Sequence, residues 1–176
     1  MMLRFILPVL LSLTLSSCAS LSKEECLAGN WNDIGFNDGR NGYRTSYLNK
    51  HKKACAEYGV KADREAYLQG HKKGLLTYCT PSNARRVGER GSSYQGVCPA
   101  DKESDFLRHY EYGRDIHDAK QKINNVSDDI RNKEEQLHIE KNASIRNTLR
   151  NEIRALDDLM HTLRHRLNDL LDNPPR

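Results

Sequence analysis

The amino-acid sequence predicts an all-α protein, consisting of a small disulfide-stapled helical domain with Gly-x3-Gly helices and a C-terminal coiled coil. Two observations support this fold class. All the glycines and four of the five cysteines lie between Cys26 and Gly113. From Arg114 to Asp172 the chain has neither glycine nor proline, and its apolar residues recur at steps of three and four. The chain therefore divides into two parts of different composition.

The N-terminus has the pattern of a lipoprotein signal peptide over residues 1–17. One positive charge at Arg4 precedes an apolar run of about a dozen residues, the length of a signal-peptide core, whereas a membrane-spanning helix needs roughly 20 residues. Leu15, two serines and Cys18 then replace the usual cleavage site with a lipobox pattern. We expect cleavage before Cys18, a lipid on its thiol, and a lipid-anchored tether over residues 18–25.

The expected lipid defines the expected location. Two or more acyl chains, such as a diacylglycerol and an added palmitate, hold a protein stably at a membrane, whereas one chain does so only marginally. Residue 19 is alanine and not the aspartate that tends to retain enteric lipoproteins at the inner membrane. The pattern therefore favours the periplasmic face of the outer membrane, with a plainly secreted protein as the alternative.

Export places the remaining cysteines in an oxidising compartment, where disulfides persist. Removing Cys18 leaves the even set Cys26, Cys55, Cys79 and Cys98. Three pairings are possible. We favour pairing of nearest neighbours, Cys26 with Cys55 and Cys79 with Cys98, which closes loops of roughly 20 to 30 residues that can each contribute on the order of 3 kcal/mol. A metal site is disfavoured because the sequence has no Cys-x-x-Cys, and a catalytic thiol because no odd cysteine remains.

The cysteine-containing domain, residues 26–113, has internal repeats. The pattern Cys-x11-Tyr-x2-Gly occurs at Cys55 and again at Cys98, and Gly-x3-Gly-x3-Tyr occurs at Gly35 and again at Gly70. Glycines four apart lie on one helical face, and each costs up to about 1 kcal/mol relative to alanine in a helix. We therefore expect another backbone or an aromatic ring to approach these glycines closely.

Three helical units are predicted in this domain, and they are joined by glycine-bearing turns. The units run from Lys23 to Lys50, from Asp63 to Tyr78, and from Asp101 onward, with Asp63 and Asp101 as expected N-caps. The stretch from Thr80 to Val97 has neither a helical nor a strand period. We expect it to be a long loop held by cysteines on both sides.

The motifs of this domain form one succession along the chain. Its members are Trp31-x3-Gly35-x2-Asp38-Gly39-x2-Gly42, Cys55, Tyr67-x2-Gly70-x3-Gly74-Leu75-x2-Tyr78-Cys79-Thr80-Pro81, Gly88-x2-Gly91-x2-Tyr94-x-Gly96-Val97-Cys98-Pro99, Phe106, and Tyr110-x2-Gly113-Arg114. Together they resemble an uncharacterised Gram-negative lipoprotein family, domain of unknown function 2799. The resemblance covers about Cys26 to Arg114. It implies lipoprotein status and a cysteine-bearing envelope domain, and it implies no activity, substrate or cofactor.

Residues 114–172 are predicted to form a coiled coil, with a short tail at 173–176. Two apolar stripes with heptad spacing run from Ile116 to Leu137 and from Ile145 to Leu170. The register slips between them. Either a turn near Asn142 folds the halves into an antiparallel hairpin, or one helix of about 60 residues, near 90 Å long, pairs with another chain.

Basic and aromatic residues beside the glycine motifs are candidates for facing a ligand, since arginine binds carboxylates and phosphates. A blander interpretation is that the aromatic rings fill gaps left by glycine while the basic groups face water. The candidates are Trp31, Arg40, Lys72, Arg85, Arg86, Tyr94 and Arg114.

The sequence has no motif of a known catalytic site, so we expect no enzyme, cofactor or bound metal. Asp33, Asp38, His51 and His71 would supply acid–base chemistry only if the fold gathered them. The small net charge of +4 does not favour binding to nucleic acid.

We expect an interaction protein that binds a protein partner or itself through the coiled coil. The alternative is a small module that binds peptidoglycan or lipopolysaccharide fragments.

Overall fold

The computed structural model describes residues 20–175, so the predicted signal peptide and Cys18 lie outside the described range. Within that range the protein is helical and contains no strand, which confirms the all-α prediction. A 3-10 helix at Thr45–Tyr47 accompanies seven α-helices. These are α1 Lys23–Ala28, α2 Trp31–Arg40, α3 Leu48–Ala56, α4 Arg64–Tyr78, α5 Pro81–Glu89, α6 Ala100–Ile139 and α7 Ala143–Asp172.

Side-chain caps mark where several helices begin. Ser22 and Glu25 form a reciprocal capping box at the start of α1. The carboxylate of Asp63, the hydroxyl of Thr80 and the amide oxygen of Asn142 accept backbone N–H groups at the starts of α4, α5 and α7. Asp63 is therefore an N-cap, as predicted.

Two predictions about the helices of this domain were wrong, namely the unbroken first helix and the N-cap at Asp101. The predicted helix from Lys23 to Lys50 is broken at Gly29 and at Gly42, which both have positive φ (63° and 74°) and end the local helical path. The helix predicted to begin at Asp101 begins one residue earlier, at Ala100, with Asp101 in its first turn. Proline at residue 99 occupies the N-cap position.

The predicted loop between Thr80 and Val97 instead contains helix α5. Thr80 caps it and Pro81 occupies its first turn, a position that proline favours. The buried side of α5 consists of Ala84, Val87 and Gly88. Because two of these three residues are too small to give a hydrophobic period, the pattern of the sequence did not reveal the helix.

Two helix crossings, α2 with α4 and α5 with α6, are built on glycine. In the first crossing, a Cβ at Gly35 would overlap the carbonyl of Tyr67, and a Cβ at Gly70 would overlap the carbonyl of Asn32. Gly39 and Gly74 make the next contact of the same crossing. The predicted close approach at the Gly-x3-Gly motifs is thus confirmed, and the two motifs lie against each other.

The second crossing repeats the first. A Cβ at Gly88 of α5 would overlap the carbonyl of Tyr110, and a Cβ at Gly113 of α6 would overlap the carbonyl of Arg85. Gly88 stands nine residues after Cys79, as Gly35 does after Cys26. The domain is therefore a tandem repeat of one unit, in which a disulfide accompanies a pair of helices crossed at glycine.

Both disulfides have the predicted nearest-neighbour pairing. Cys26 is bonded to Cys55 with a Cα–Cα distance of 5.3 Å, and Cys79 to Cys98 with a distance of 5.6 Å. Each bond lies in one of the two apolar clusters of the domain. The bonds close segments of 29 and 19 residues. In the chain-entropy model each bond lowers the entropy of the unfolded chain and so raises the free energy of unfolding by roughly 3 to 4 kcal/mol.

The C-terminal part is an antiparallel helical hairpin, which resolves the two alternatives left by the sequence. Helix α6 runs without a break from the cysteine domain through Gly113 to Ile139, and α7 packs back along it. Asn142 caps α7, while the Arg146 guanidinium donates to the carbonyls of Leu137 and Glu140 at 2.6 and 2.9 Å. No helix between residues 20 and 175 is long and apolar enough to cross a membrane.

Candidate functional site

A buried polar network joins α2, α3 and α4 in the first repeat. The Tyr67 hydroxyl donates to Asp38 Oδ2 at 2.6 Å, and His51 Nε2 lies 2.9 Å from the same oxygen. All three residues are buried, with 0%, 6% and 2% of their surfaces exposed. Because a carboxylate oxygen only accepts hydrogen bonds, His51 Nε2 carries a proton and donates a hydrogen bond to Asp38.

The network extends to the first described residue of the chain. His51 Nδ1 lies 2.9 Å from Ser20 Oγ, and Leu21 is buried in the apolar cluster that contains Cys26 and Trp31. The segment predicted as a tether, residues 18–25, is thus ordered against the domain from Ser20 onward. A tether was expected from the sequence because residues 18–25 gave no sign of these long-range contacts.

Ser20, His51 and Asp38 stand in the hydrogen-bonded order of a serine hydrolase triad, but three features favour a structural role. The two imidazole nitrogens are exchanged relative to that triad. The imidazole is buried and Tyr67 shares its carboxylate partner. The clefts described below are lined by other residues. The network holds three helices and the N-terminal segment in place.

Burial also determines the protonation state of Tyr67. Removal of the phenol from water raises the pKa of Tyr67 far above its ordinary value, and its hydrogen bond to Asp38 raises this pKa further. The phenol therefore remains a donor across the physiological range. A hydrogen bond to a charged group contributes about 1.5 to 3 kcal/mol, so this bond is a substantial contact between α2 and α4.

His71 lies next to this network on α4. Its ring stacks on Tyr67 with 5.9 Å between centroids, and its Nε2 lies 2.7 Å from the carbonyl oxygen of Tyr43. Since a carbonyl only accepts, Nε2 carries the proton. The structure therefore gathers Asp38, His51 and His71 in one region, whereas Asp33 is exposed on the surface beside Asn30.

The second repeat has a related cluster in which tyrosine replaces histidine. Tyr94 and Tyr110 have ring centroids 6.0 Å apart, close to the 6.3 Å between His51 and Tyr67. The Tyr94 hydroxyl accepts from Cys98 N–H at 2.9 Å and donates to a carboxylate of α6 at 3.1 Å. The acid–imidazole pair is thus a feature of the first repeat.

Three clefts border the domain, and the third, of about 530 Å³, lies along α4 with Lys72 in its lining. The first, of about 540 Å³, lies between the 3-10 helix, α4 and the loop before α6, and Arg44, His71 and Gln95 line it. The Arg44 guanidinium Nε donates to the carbonyl of Gln95 at 2.8 Å across this cleft. The second, of about 520 Å³, is lined by Arg85, Tyr112 and seven other residues, which are Pro81, Ser82, Arg86, Glu89, His109, Pro174 and Pro175.

The structure does not bring the seven candidate ligand-facing residues into one site. Trp31 lies in the core with 4% of its surface exposed, and Tyr94 packs against Phe106. Trp31 is thus a core residue, whereas the Tyr94 ring is only partly buried.

The basic candidates are dispersed over the surface. Arg85 and Arg86 line the second cleft, where the Arg85 guanidinium lies 5.3 Å from the Tyr112 ring. Arg114 donates to the carbonyl of Gly91 at 3.3 Å. The remaining two candidates, Arg40 and Lys72, are exposed on α2 and α4.

The sequence analysis missed Ser20 and Tyr67 as members of the network. Tyr67 belongs to the Cys-x11-Tyr-x2-Gly repeat, and that pattern was the available signal for its burial. Ser20 gave no signal. No group of three or more metal-ligating side chains is present in the described residues.

Comparison with known families agrees with these motifs. No curated protein and no solved structure shows significant similarity to the chain. Residues 30–115 match the family model described as Protein of unknown function (DUF2799). The match begins just before α2, spans both glycine crossings and ends two residues after Gly113, as the resemblance implied. Residues 30–115 therefore form a DUF2799 domain, whose function is unknown.

Proposed function

We propose that this protein is a bacterial envelope lipoprotein, anchored through Cys18 to the periplasmic face of the outer membrane. We further propose that it acts by binding a protein partner through its helical hairpin. The lipobox pattern supports the anchor. The exposed apolar tip of the hairpin is the observation that carries the proposed interaction. In this proposal the protein has a structural role and catalyses no reaction.

The hairpin is a stiff projection with a well-packed base. Its base is fixed where the Tyr112 hydroxyl donates to the carbonyl of Leu170 at 2.7 Å. From Gly113 to Ile139 helix α6 extends by about 40 Å at 1.5 Å per residue. The seam is packed along its length, because Val126, Leu149 and Met160 are buried.

The tip differs from the seam because its apolar residues face water. Ile139 and Ile145 flank the turn and are 75% and 47% exposed. Elsewhere on the hairpin Leu159 and Leu171 are also exposed, at 45% and 42%, but they stand singly on α7. The Lys133–Glu152 pair joins the two helices. Exposed aliphatic side chains at the end of a rigid arm form a suitable contact for an apolar pocket on a partner protein.

The proposal is tested by recovering crosslinked partners from intact envelopes. We expect Ile139→Glu combined with Ile145→Glu to abolish recovery of the partner, whereas Lys141→Glu in the same turn should leave it unchanged. Circular dichroism of both variants should show unchanged helix content, since the tip lies outside the packed seam. Equal recovery from both variants would refute the role of the tip. A recovered partner with the mass of this chain would identify self-association.

The anchor has its own test. Cys18→Ser should release the protein into the soluble periplasmic fraction, because the acyl chains then have no attachment site. Intact mass analysis of the wild-type protein should show the added lipid. A Cys18→Ser variant that stays in the membrane fraction would contradict the anchor without bearing on the hairpin tip.

The second cleft supports a second candidate function, a small binding module for peptidoglycan or lipopolysaccharide fragments. Arg85 and Arg86 line this cleft, and guanidinium groups bind carboxylates and phosphates. The Arg85 guanidinium lies beside the Tyr112 ring and donates to Glu89 at 2.7 Å. If this is the function, Arg86→Ala should reduce cosedimentation with purified peptidoglycan, and Lys61→Ala on another exposed surface should not. Equal sedimentation of both variants and wild type would exclude the cleft.

A further inference from the structure

The described chain begins at Ser20, two residues after Cys18, and it is held against the domain from its first residue. Ser20 is hydrogen-bonded to His51, and Leu21 is buried with 8% of its surface exposed. One residue, Ala19, separates Ser20 from Cys18. Two residue steps span at most about 7 Å. A lipid on Cys18 would therefore hold the surface around Ser20 directly against the bilayer.

That surface carries aromatic rings and a lysine. The Tyr47 ring lies edge-on to the His51 imidazole with 5.1 Å between centroids, and Tyr43 stacks on Tyr47 at 4.4 Å. The Lys50 ammonium lies 4.7 Å from the centre of the Tyr47 ring. We call the set Ser20, Tyr43, Tyr47 and Lys50 the anchor patch.

Positive charge predominates in the segment that carries most of the anchor patch. Between Asp38 and Glu57 the chain has no acidic residue. The arginines and lysines of this segment are all exposed, and they are Arg40, Arg44, Lys50, Lys52 and Lys53. On α1, which packs against α3, Glu24 and Glu25 are the acidic residues, and the Glu25 carboxylate accepts the backbone N–H of Ser22.

We infer that the anchor patch is a membrane-contact surface that rests on anionic phospholipid and fixes the orientation of the domain on the bilayer. This inference rests on the proposed lipid anchor. Tyrosine rings favour the interface between headgroups and acyl chains, and each lysine or arginine near an anionic surface strengthens binding about fivefold. The short connection to Cys18 places these groups where such contacts form.

Lysine footprinting on vesicles tests this inference with the wild-type lipidated protein. The protein, with its lipid verified by intact mass, is placed in vesicles of phosphatidylethanolamine and phosphatidylglycerol or in detergent, and acetylation of each lysine is followed by peptide mass analysis. We expect acetylation of Lys50 to slow about fivefold in the vesicles, on the scale of one lysine–membrane contact. Lys141 at the hairpin turn is the internal control and should react equally in both.

Each outcome of the footprint has a clear meaning. Protection of Lys50 without protection of Lys141, weakened in phosphatidylcholine vesicles, supports the membrane-contact surface. Equal rates for Lys50 in vesicles and detergent, or equal protection of Lys50 and Lys141, overturn it. A mass without lipid overturns the anchor and this inference together. Because the vesicles contain no other protein, failure to find a partner for the hairpin leaves the footprint result unaffected.

Discussion

Replacing Gly70 with alanine tests whether the glycine crossing holds the first repeat together. A Cβ at Gly70 would overlap the carbonyl oxygen of Asn32 and lie 2.9 Å from the backbone nitrogen of Phe36. Neither backbone atom can move without a shift of the whole of α2. The crossing would therefore open, and the hydrogen bond between Tyr67 and Asp38 would lengthen from its present 2.6 Å.

The expected loss follows from three contributions. Overpacking costs about 1 to 3 kcal/mol, and weakening a buried hydrogen bond to a charged group costs about 1.5 to 3 kcal/mol. Replacing glycine with alanine inside a helix returns about 1 kcal/mol. We therefore expect the free energy of unfolding of Gly70→Ala to fall by about 3 kcal/mol, with a melting temperature lower by about 6 to 12 °C.

Urea unfolding monitored by circular dichroism measures this loss. Gln69→Ala, at the exposed neighbouring position of α4, is the matched control and should change stability by less than about 0.5 kcal/mol. Gly113→Ala at the equivalent position of the second crossing should lose less, about 1 kcal/mol, because the bond between Tyr67 and Asp38 has no counterpart there and only overpacking, less the gain in helix propensity, remains. A Gly70→Ala protein as stable as the wild type, or more stable, would refute the crossing as a close backbone contact.

Three further predictions concern the network, a disulfide and the hairpin. The pKa of Tyr67 is raised by burial above its ordinary value of 10.0, so the unfolded chain ionises first and stability should fall as pH rises above that value. Tyr67→Phe should flatten this fall in pH-dependent urea titrations, and an unchanged slope would contradict it. Joint replacement of Cys79 and Cys98 by serine should lower the unfolding free energy by about 3 kcal/mol, and finding these thiols free in the wild type by mass analysis would remove its basis. Asn142→Ala should cost about 1 kcal/mol in thermal unfolding, whereas no change would show that the cap does not stabilise α7.

Local sequence signals were sufficient for much of the secondary structure. Asp63 predicted the start of α4, because a short acceptor at an N-cap satisfies free backbone N–H groups whatever the tertiary context. The heptad stripes predicted α6 and α7, because apolar residues at steps of three and four lie on one face of a helix. Helix α5 was missed because its buried side includes Ala84 and Gly88, and small residues pack by closeness of backbones, which leaves no hydrophobic period.

The candidate site depended on contacts between distant residues. Asp38 and His51 were recognised as acid–base groups from their residue types. Nothing local showed that His51 and Tyr67, which is 29 residues from Asp38, would both bond to one carboxylate oxygen of Asp38. The basic candidates were also chosen by type. The position of a side chain on the surface depends on packing and not on residue type. Arg85 therefore lines a cleft, whereas Arg40 lies on an exposed helix face.

The sequence by itself determined the all-α class, the even set of cysteines and the glycine pattern, because these depend on residue type and spacing alone. Only the tertiary structure decided how the glycine motifs pair, since close backbone approach requires two helices to meet. It also decided that the coiled coil is a hairpin and that Ser20 is held by His51. The last contact joins residues 31 positions apart, and it fixes the segment next to Cys18 that the sequence had suggested was a loose tether.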